Sequence, residues 1–158
     1  MKRVFLMTAL GCLFFVCSVQ GAQKIPAAPP AKAKCPVCGM FVAKYPDWTA
    51  SITFRDSITV YFDGPKDLFT FYLDPGRYAP AKKQADIADI RVKDYYSLAI
   101  VDGRRALYVM GSNVLGPMGK ELVPFAGKED AGGFMRDHRG VRVLRFNDIT
   151  RSVLKGLE

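Results

Sequence analysis

Apolar and polar residues alternate from Thr49 to Phe54 and again from Ser57 to Phe62, on either side of Arg55-Asp56. Two runs of period two around a polar turn predict a β-hairpin with one buried face. At Gly64-Pro65 the period changes, and Leu68, Phe69, Phe71 and Tyr72 gather on one side of a short helix. Proline at the first helical position and Asp67 in the first turn suit its start, and Asp74-Pro75-Gly76 its end. A polar connection from Tyr78 to Asp86 leads to a predicted strand from Ile90 to Tyr96.

The second half runs through the same order. Ser97 to Val101 and Arg105 to Met110 read as strands around Asp102-Gly103, and Leu122 to Phe125 as another. Gly127 then opens a helix to about Asp137, Val141 to Phe146 alternates as a last strand, and Ile149 to Leu157 closes the chain as a helix. Phe62-Asp63-Gly64-Pro65-Lys66-Asp67 and Phe125-Ala126-Gly127-Lys128-Glu129-Asp130 share F-x-G-x-x-D, 63 residues apart, each where a strand hands over to a helix. The pattern predicts an α+β protein of two small tandem ββαβ units related by duplication, 35–96 and 97–158. The second hairpin breaks the symmetry, because Gly111 to Glu121 reads as a glycine-rich loop carrying Met118. Loops on rigid scaffolds are where binding residues tend to sit.

Ahead of this lies a different composition. Lys2 and Arg3 precede a largely apolar run from Val4 to Val19, and Val19 and Gly21 provide small residues before Ala22. These are the features of a cleavable secretory signal over 1–21, slightly short for a membrane span. Residues 22–34 hold Pro26, Pro29, Pro30 and five alanines and predict an extended, semi-rigid tether. Cleavage would remove Cys12 and Cys17, leaving Cys35 and Cys38, too few for a disulfide framework. It would also take the formal net charge from +8 to +6. That excess favours acidic partners or an anionic membrane surface. No run of five like charges and no glycine-rich phosphate loop occurs, which excludes nucleic acid as the expected partner.

Cys35-Pro-Val-Cys38-Gly-Met40 places two thiols and a thioether within six residues, and Met118 lies far downstream in Gly116-Pro117-Met118-Gly119. Thiolate and thioether are soft donors and select Cu(I) over calcium or magnesium. If the segment is extended, Cys38 and Met40 point to one side of it, with Gly39 relaxing the backbone between them. Cys35, Cys38, Met40 and Met118 are therefore the candidate metal ligands. A C-x-x-C pair by itself also fits a redox dithiol, half a zinc site or a local disulfide. A thiol–disulfide oxidoreductase is the main enzymatic alternative, but such enzymes place the motif between a strand and a helix N-terminus. Here it follows a Pro/Ala tether. A structural zinc site wants four ligands, and beyond the two cysteines only His138 and carboxylates are available. Met110 and Met135 fall on core positions of a strand and a helix, His138 sits at a helix end, and Phe41, Tyr45 and Trp48 form an expected apolar shelter beside the motif.

Cys35-Pro-Val-Cys38-Gly-Met40-Phe41, Tyr61-Phe62-Asp63-Gly64-Pro65-Lys66-Asp67, Tyr108-Val109-Met110-Gly111-Ser112, Gly116-Pro117-Met118-Gly119 and Leu122-Val123-Pro124-Phe125 together resemble the NosL family, in this order from about Cys35 to Ile149. The resemblance implies two ββαβ units and a non-enzymatic, exported copper chaperone. Such a protein binds Cu(I), delivers it during assembly of nitrous oxide reductase, and associates with the membrane. On matching positions it points to Cys38 and Met40 of a Cys-x-Met element and to Met118. Cys35 is additional to that element. Members are commonly lipoproteins, whereas Val16 before Cys17 and the apolar Leu13-Phe14-Phe15 after Cys12 make a poor lipid-attachment signal.

Overall fold

The computed structural model describes residues 28–158. The expected signal segment and residues 22–27 of the tether therefore lie outside the described residues. The elements run β1 (Ala50–Phe54), β2 (Thr59–Phe62), α1 (Pro65–Leu73), α2 (Pro75–Tyr78), β3 (Ile87–Lys93), β4 (Ile100–Asp102), β5 (Leu107–Gly116), β6 (Gly119–Phe125), α3 (Lys128–Asp137), β7 (Arg142–Arg145) and α4 (Arg151–Lys155). They form two antiparallel sheets, ordered β2-β1-β3-β4 and β6-β5-β7. In each, a hairpin is followed by a helix and then by a strand that returns beside the hairpin's first strand. The α+β class and the strand–strand–helix–strand order are those expected from the pattern.

Helix α1 lies between the two sheets, and its aromatic residues face both ways. Phe71 meets Phe54 and Phe62 of the first sheet edge to face, at centroid distances of 6.3 and 5.3 Å. Phe69 meets Tyr108 of the second sheet and Phe146 beyond it, both at 5.0 Å. Ile52, Ile90, Leu122 and Leu144 complete this core. The alternate residues of the second sheet, Val109, Val123 and Phe125, face the other way and bury Ala131 and Phe134 of α3. Period-two alternation thus gives the second sheet two apolar faces, each covered by a helix. Met110 and Met135 pack against these cores, as their positions predicted.

Three strand expectations are corrected. The third strand covers Ile87–Lys93 rather than Ile90–Tyr96. Phe54 pairs with Ile87 while Thr53 pairs with Asp89, so Ala88 is an extra residue in the ladder. That bulge puts Ile87 and Ile90 on one face although they are three apart, which hides the start of the strand from an alternation test. The strand ends early because the Asp94 carboxylate accepts the Tyr96 and Ser97 amides at 3.2 and 2.8 Å and turns the chain. The next strand is Ile100–Asp102, not Ser97–Val101, and it extends the first sheet by pairing with β3. Finally, Gly111 to Glu121 is not an open loop. After an irregularity between Met110 and Leu115, β5 and β6 continue to a Gly116–Gly119 pair, leaving Pro117-Met118 as a two-residue hairpin tip. Gly119 there has φ +85°, a conformation glycine adopts without steric cost.

Candidate metal centre

The Cys35–Met40 segment is a closed turn, not an extended segment. The Cys35 amide donates to the Met40 carbonyl and the Gly39 amide to the Cys35 carbonyl, both at 2.9 Å. Lys34 and Phe41 pair as an antiparallel bridge at its base. Gly39, at φ +80°, allows the reversal. The end of the tether takes part, since the Val42 amide donates to Ala33 at 3.0 Å and Ala33 in turn donates to Pro30 at 2.8 Å. Folding the motif back on itself aims main-chain amides at sulfur. The Cys38 and Val37 amides approach the Cys35 thiol, and the Met40 amide approaches that of Cys38. Such donors stabilise a thiolate once it forms.

Facing this turn is the start of α1, where Asp63 precedes the N-cap Gly64 and Asp67 stands in the first turn. The Cys35 thiol donates to Asp67 Oδ2 at 3.2 Å. The Cys38 thiol lies 3.3 and 3.4 Å from the two Asp63 carboxylate oxygens. One ligand atom from each of Cys35, Cys38, Asp63 and Asp67 lies within 4.8 Å of every other. Cys35, Asp63 and Asp67 are buried and Cys38 is half-buried. Burial, with the neighbouring carboxylates adding to it, pushes the Cys35 thiol far up and that of Cys38 to about 12. Burial also raises Asp67, opposed by the neighbouring Cys38 and Cys35 thiols, of which Cys35 donates to it. Without a metal the thiols are therefore protonated.

The two aspartates were not among the candidate ligands read from the sequence. Their signal is present there: two carboxylates at i and i+4 straddling a glycine N-cap, in F-x-G-x-x-D. The second copy of that motif carries Ala126 where the first has Asp63.

The methionines enter differently. Met118 is 46% exposed at its hairpin tip. Its carbonyl accepts the Lys66 ammonium at 2.8 Å. Glu121 of β6 reinforces this link, because its Oε1 accepts the Lys66 and Leu122 amides at 2.6 and 2.8 Å. A second-sheet carboxylate thus satisfies an orphan amide of α1 and holds the Met118 hairpin against the turn that bears Asp67. Met40, half-buried, is fixed by the hydrogen bond of its carbonyl to Cys35. The expected aromatic shelter does not form. Phe41 is 39% exposed with the Lys34 and Lys44 ammonium groups 5.1 and 5.8 Å above its ring, and Trp48 packs instead near Tyr95 of the second core. The single histidine, His138, caps α3 and stacks on Phe134 at 4.4 Å.

The arrangement is unlike a dithiol enzyme site. No α-helix follows the cysteines, only a 3-10 turn at Val42–Lys44. Their thiols are held up rather than depressed, the reverse of an activated exchange nucleophile. Comparison with known proteins places the chain. The NosL family model matches residues 26–154. This chain belongs to the NosL family. It is 28% identical over 124 residues to the copper-binding lipoprotein NosL of Stutzerimonas stutzeri, an alignment covering 77% of the chain and 64% of that protein. The chain thus spans about two thirds or slightly less of that NosL protein's length. The crystal structure of the copper chaperone NosL from Shewanella denitrificans superposes with a TM-score of 0.69 at 26% identity, covering 83% of this chain and 99% of that one. The NosL fold of two antiparallel sheets is therefore shared over nearly all of that structure.

Proposed function

We propose that the chain is an exported, non-enzymatic metallochaperone that binds Cu(I) and hands it to an acceptor protein outside the cytoplasm. The acceptor suggested by the family resemblance is nitrous oxide reductase. The observation that carries the reading is the meeting of two free thiols, Cys35 and Cys38, in one partly open turn of a NosL-family chain. Copper is the metal named for both relatives described above. Cys38, Met40 and Met118 supply the soft donors, with Cys35 as a fourth sulfur. Exposure of the Met118 tip gives an acceptor access to one side of the ion, and the hairpin can move without unfolding either core. Basic side chains around the turn, Lys34, Lys44 and Lys66, suit an acidic partner or membrane surface. Among the described residues no helix is long and apolar enough to cross a membrane. Membrane association would rest on the leader or on this basic surface.

Titration of the reduced, metal-free protein against a chromophoric Cu(I) chelator tests the proposal. One Cu(I) should bind with sub-micromolar or tighter affinity. Cys38→Ser should nearly abolish binding, and Cys35→Ser should weaken it partially. Failure of the parent protein to compete with the chelator would overturn the reading. Strong insulin reduction without copper binding would favour the dithiol enzyme.

A further inference from the structure

The stretch from Ala22 to Pro46 carries four lysines, Lys24, Lys32, Lys34 and Lys44, and not one aspartate or glutamate. Lys32, Lys34 and Lys44 lie among the described residues, where all three are exposed and none forms an ion pair. The ammonium groups of Lys34 and Lys44 converge on the ring of Phe41, itself 39% exposed. Asp63 and Asp67, across the cysteine turn, are buried and present no carboxylate to solvent. Lys66 is given to the Met118 carbonyl. What remains is a basic surface around an outward aromatic ring, with nothing on the chain to offset its charge. That surface is built rather than carried on a loose tail. Lys34 and Phe41 pair as an antiparallel bridge, and Ala33 is bonded to both Val42 and Pro30. One step further out, Pro29 lines a groove on the first sheet with Pro46, Tyr61 and Ile100. Side chains presented from a segment fixed in this way lose little freedom when they bind.

We infer that Phe41, with Lys32, Lys34 and Lys44 around it, is a docking surface for an anionic lipid bilayer. Charge sets the sign of the partner, and the exposed ring sets its kind. Basic side chains with an outward phenylalanine among them suit a lipid interface, where the ring enters the acyl boundary and the ammonium groups stay with the phosphates. Lysine stems are long enough to follow the ring inward while their charges remain in the headgroup layer. Reach agrees with this. Seven steps of chain lead from Gly21 to Ala28, where the described fold begins, and they extend to at most about 25 Å. While the expected leader lies in a membrane, the fold is therefore held beside the bilayer surface. The relative from Stutzerimonas stutzeri is a lipoprotein, whereas the cysteines of this leader stand in poor contexts for lipid attachment. A basic aromatic surface supplies a reversible hold in place of that anchor once the leader is cut. Because Phe41 directly follows Met40, docking seats the base of the cysteine turn on the bilayer. The inference rests on this surface and does not depend on the copper reading.

Co-sedimentation with vesicles tests this, using the chain that begins at Ala22, which keeps every described element. It should bind vesicles of equal parts phosphatidylglycerol and phosphatidylcholine, and stay in solution with vesicles of phosphatidylcholine alone. Binding should fall steeply as salt rises from about 0.1 M to about 1 M, because the screening length shrinks from about 10 Å to about 3 Å. Lys34→Gln combined with Lys44→Gln should weaken binding about 25-fold, at about fivefold per lysine. Phe41→Ser should weaken it about fivefold by removing the ring from the interface. Lys128→Gln combined with Lys155→Gln takes the same charge from exposed positions of α3 and α4 and should change binding little. A retained melting temperature shows that each variant folds. No binding to the phosphatidylglycerol vesicles at low salt, or equal losses from the two lysine pairs, would overturn the inference. Binding to soluble polyglutamate with none to vesicles would also overturn it and assign the surface to an acidic protein. Failure to bind vesicles in a chain that takes up Cu(I) leaves the chaperone reading intact, whereas vesicle binding by a chain that does not take up Cu(I) supports the inference and removes the copper reading.

Discussion

Met118 is the residue whose role depends most on what surrounds it. It occupies a hairpin tip after Pro117 and before Gly119, 46% exposed, a position where a side chain contributes little to the core. Its backbone is held by Lys66, one residue from Asp67, so the tip and the cysteine turn converge on the first turn of one helix. Met118→Leu keeps the approximate volume and removes the sulfur, a swap that usually costs less than about 1.5 kcal/mol even in a core. We expect the melting temperature to be retained and Cu(I) affinity to fall about tenfold, or about 1.4 kcal/mol. Competition with a Cu(I) chelator checks this. Unchanged affinity would confine copper to the Cys35–Met40 segment. The lysines around Phe41 illustrate the opposite case, where position next to the motif did not disclose a role. Phe41 was expected to shelter the thiols, but pairing with Lys34 turns it outward under two ammonium groups.

At the scale of elements, the junction between α1 and the β5–β6 hairpin deserves the closest test, because it is where the two sheets meet the site. Gly64 has φ −165°, which any residue can adopt, so its requirement is for space rather than conformation. A Cβ there would collide with Glu121 Oε2, and one at Gly116 would approach Glu121 Cγ at 2.9 Å. Both glycines leave room for the carboxylate that accepts the Lys66 amide. Gly64→Ala should therefore destabilise the protein by about 1–3 kcal/mol, the usual range for overpacking, and loosen the Met118 hairpin. The urea midpoint should drop at unchanged m-value, while Gly76→Ala, whose Cβ meets nothing within 4 Å, should have little effect. Much of this level could be read from the sequence. The hairpin β1–β2, helices α1 and α3 and the last strand follow from alternation, from Gly-Pro and from the repeated F-x-G-x-x-D. What escaped has physical causes. The Ala88 bulge broke the period of β3, the Asp94 turn stopped it early, and an irregular ladder between Met110 and Leu115 made a long hairpin look like a loop. At the site, the two cysteines stood out in the sequence as candidate ligands because Met40 adds a third soft donor beside them. The aspartates did not, because Asp67 is equally expected at any helix start and only the tertiary fold brings it, 32 residues along the chain, to Cys35.

Among the acidic groups that the molecule as a whole buries, Glu121 gives it a pH dependence that can be worked out. Glu121 is buried, at 3% exposure, between the second sheet and the start of α1. Burial raises its carboxyl from 4.5 to about 8, against the pull of the Leu122 and Lys66 amides and the Lys66 charge, with Asp67 adding to the rise. The folded protein thus holds a proton that the unfolded chain releases near pH 4.5. Stabilisation from this group is complete below that value and is lost as pH rises toward 8, with a slope of at most about 1.4 kcal/mol per pH unit. Asp67 shifts in the same direction, whereas Asp94, lowered in the fold, exerts its effect at more acid pH. Stability of the metal-free protein should accordingly decline between pH 5 and pH 8. Glu121→Gln keeps an oxygen for the two amides and has no proton to lose. The difference between parent and variant isolates the group: their stabilities should diverge as pH rises, with the glutamine variant the more stable at pH 8. Urea unfolding of both proteins at pH 5, 6.5 and 8 measures that divergence, and parallel curves would show that Glu121 stays ionised in the fold. Because α1 shares one core with both sheets, the loss should appear in a single cooperative transition, so the first hairpin and the second unfold together rather than in turn.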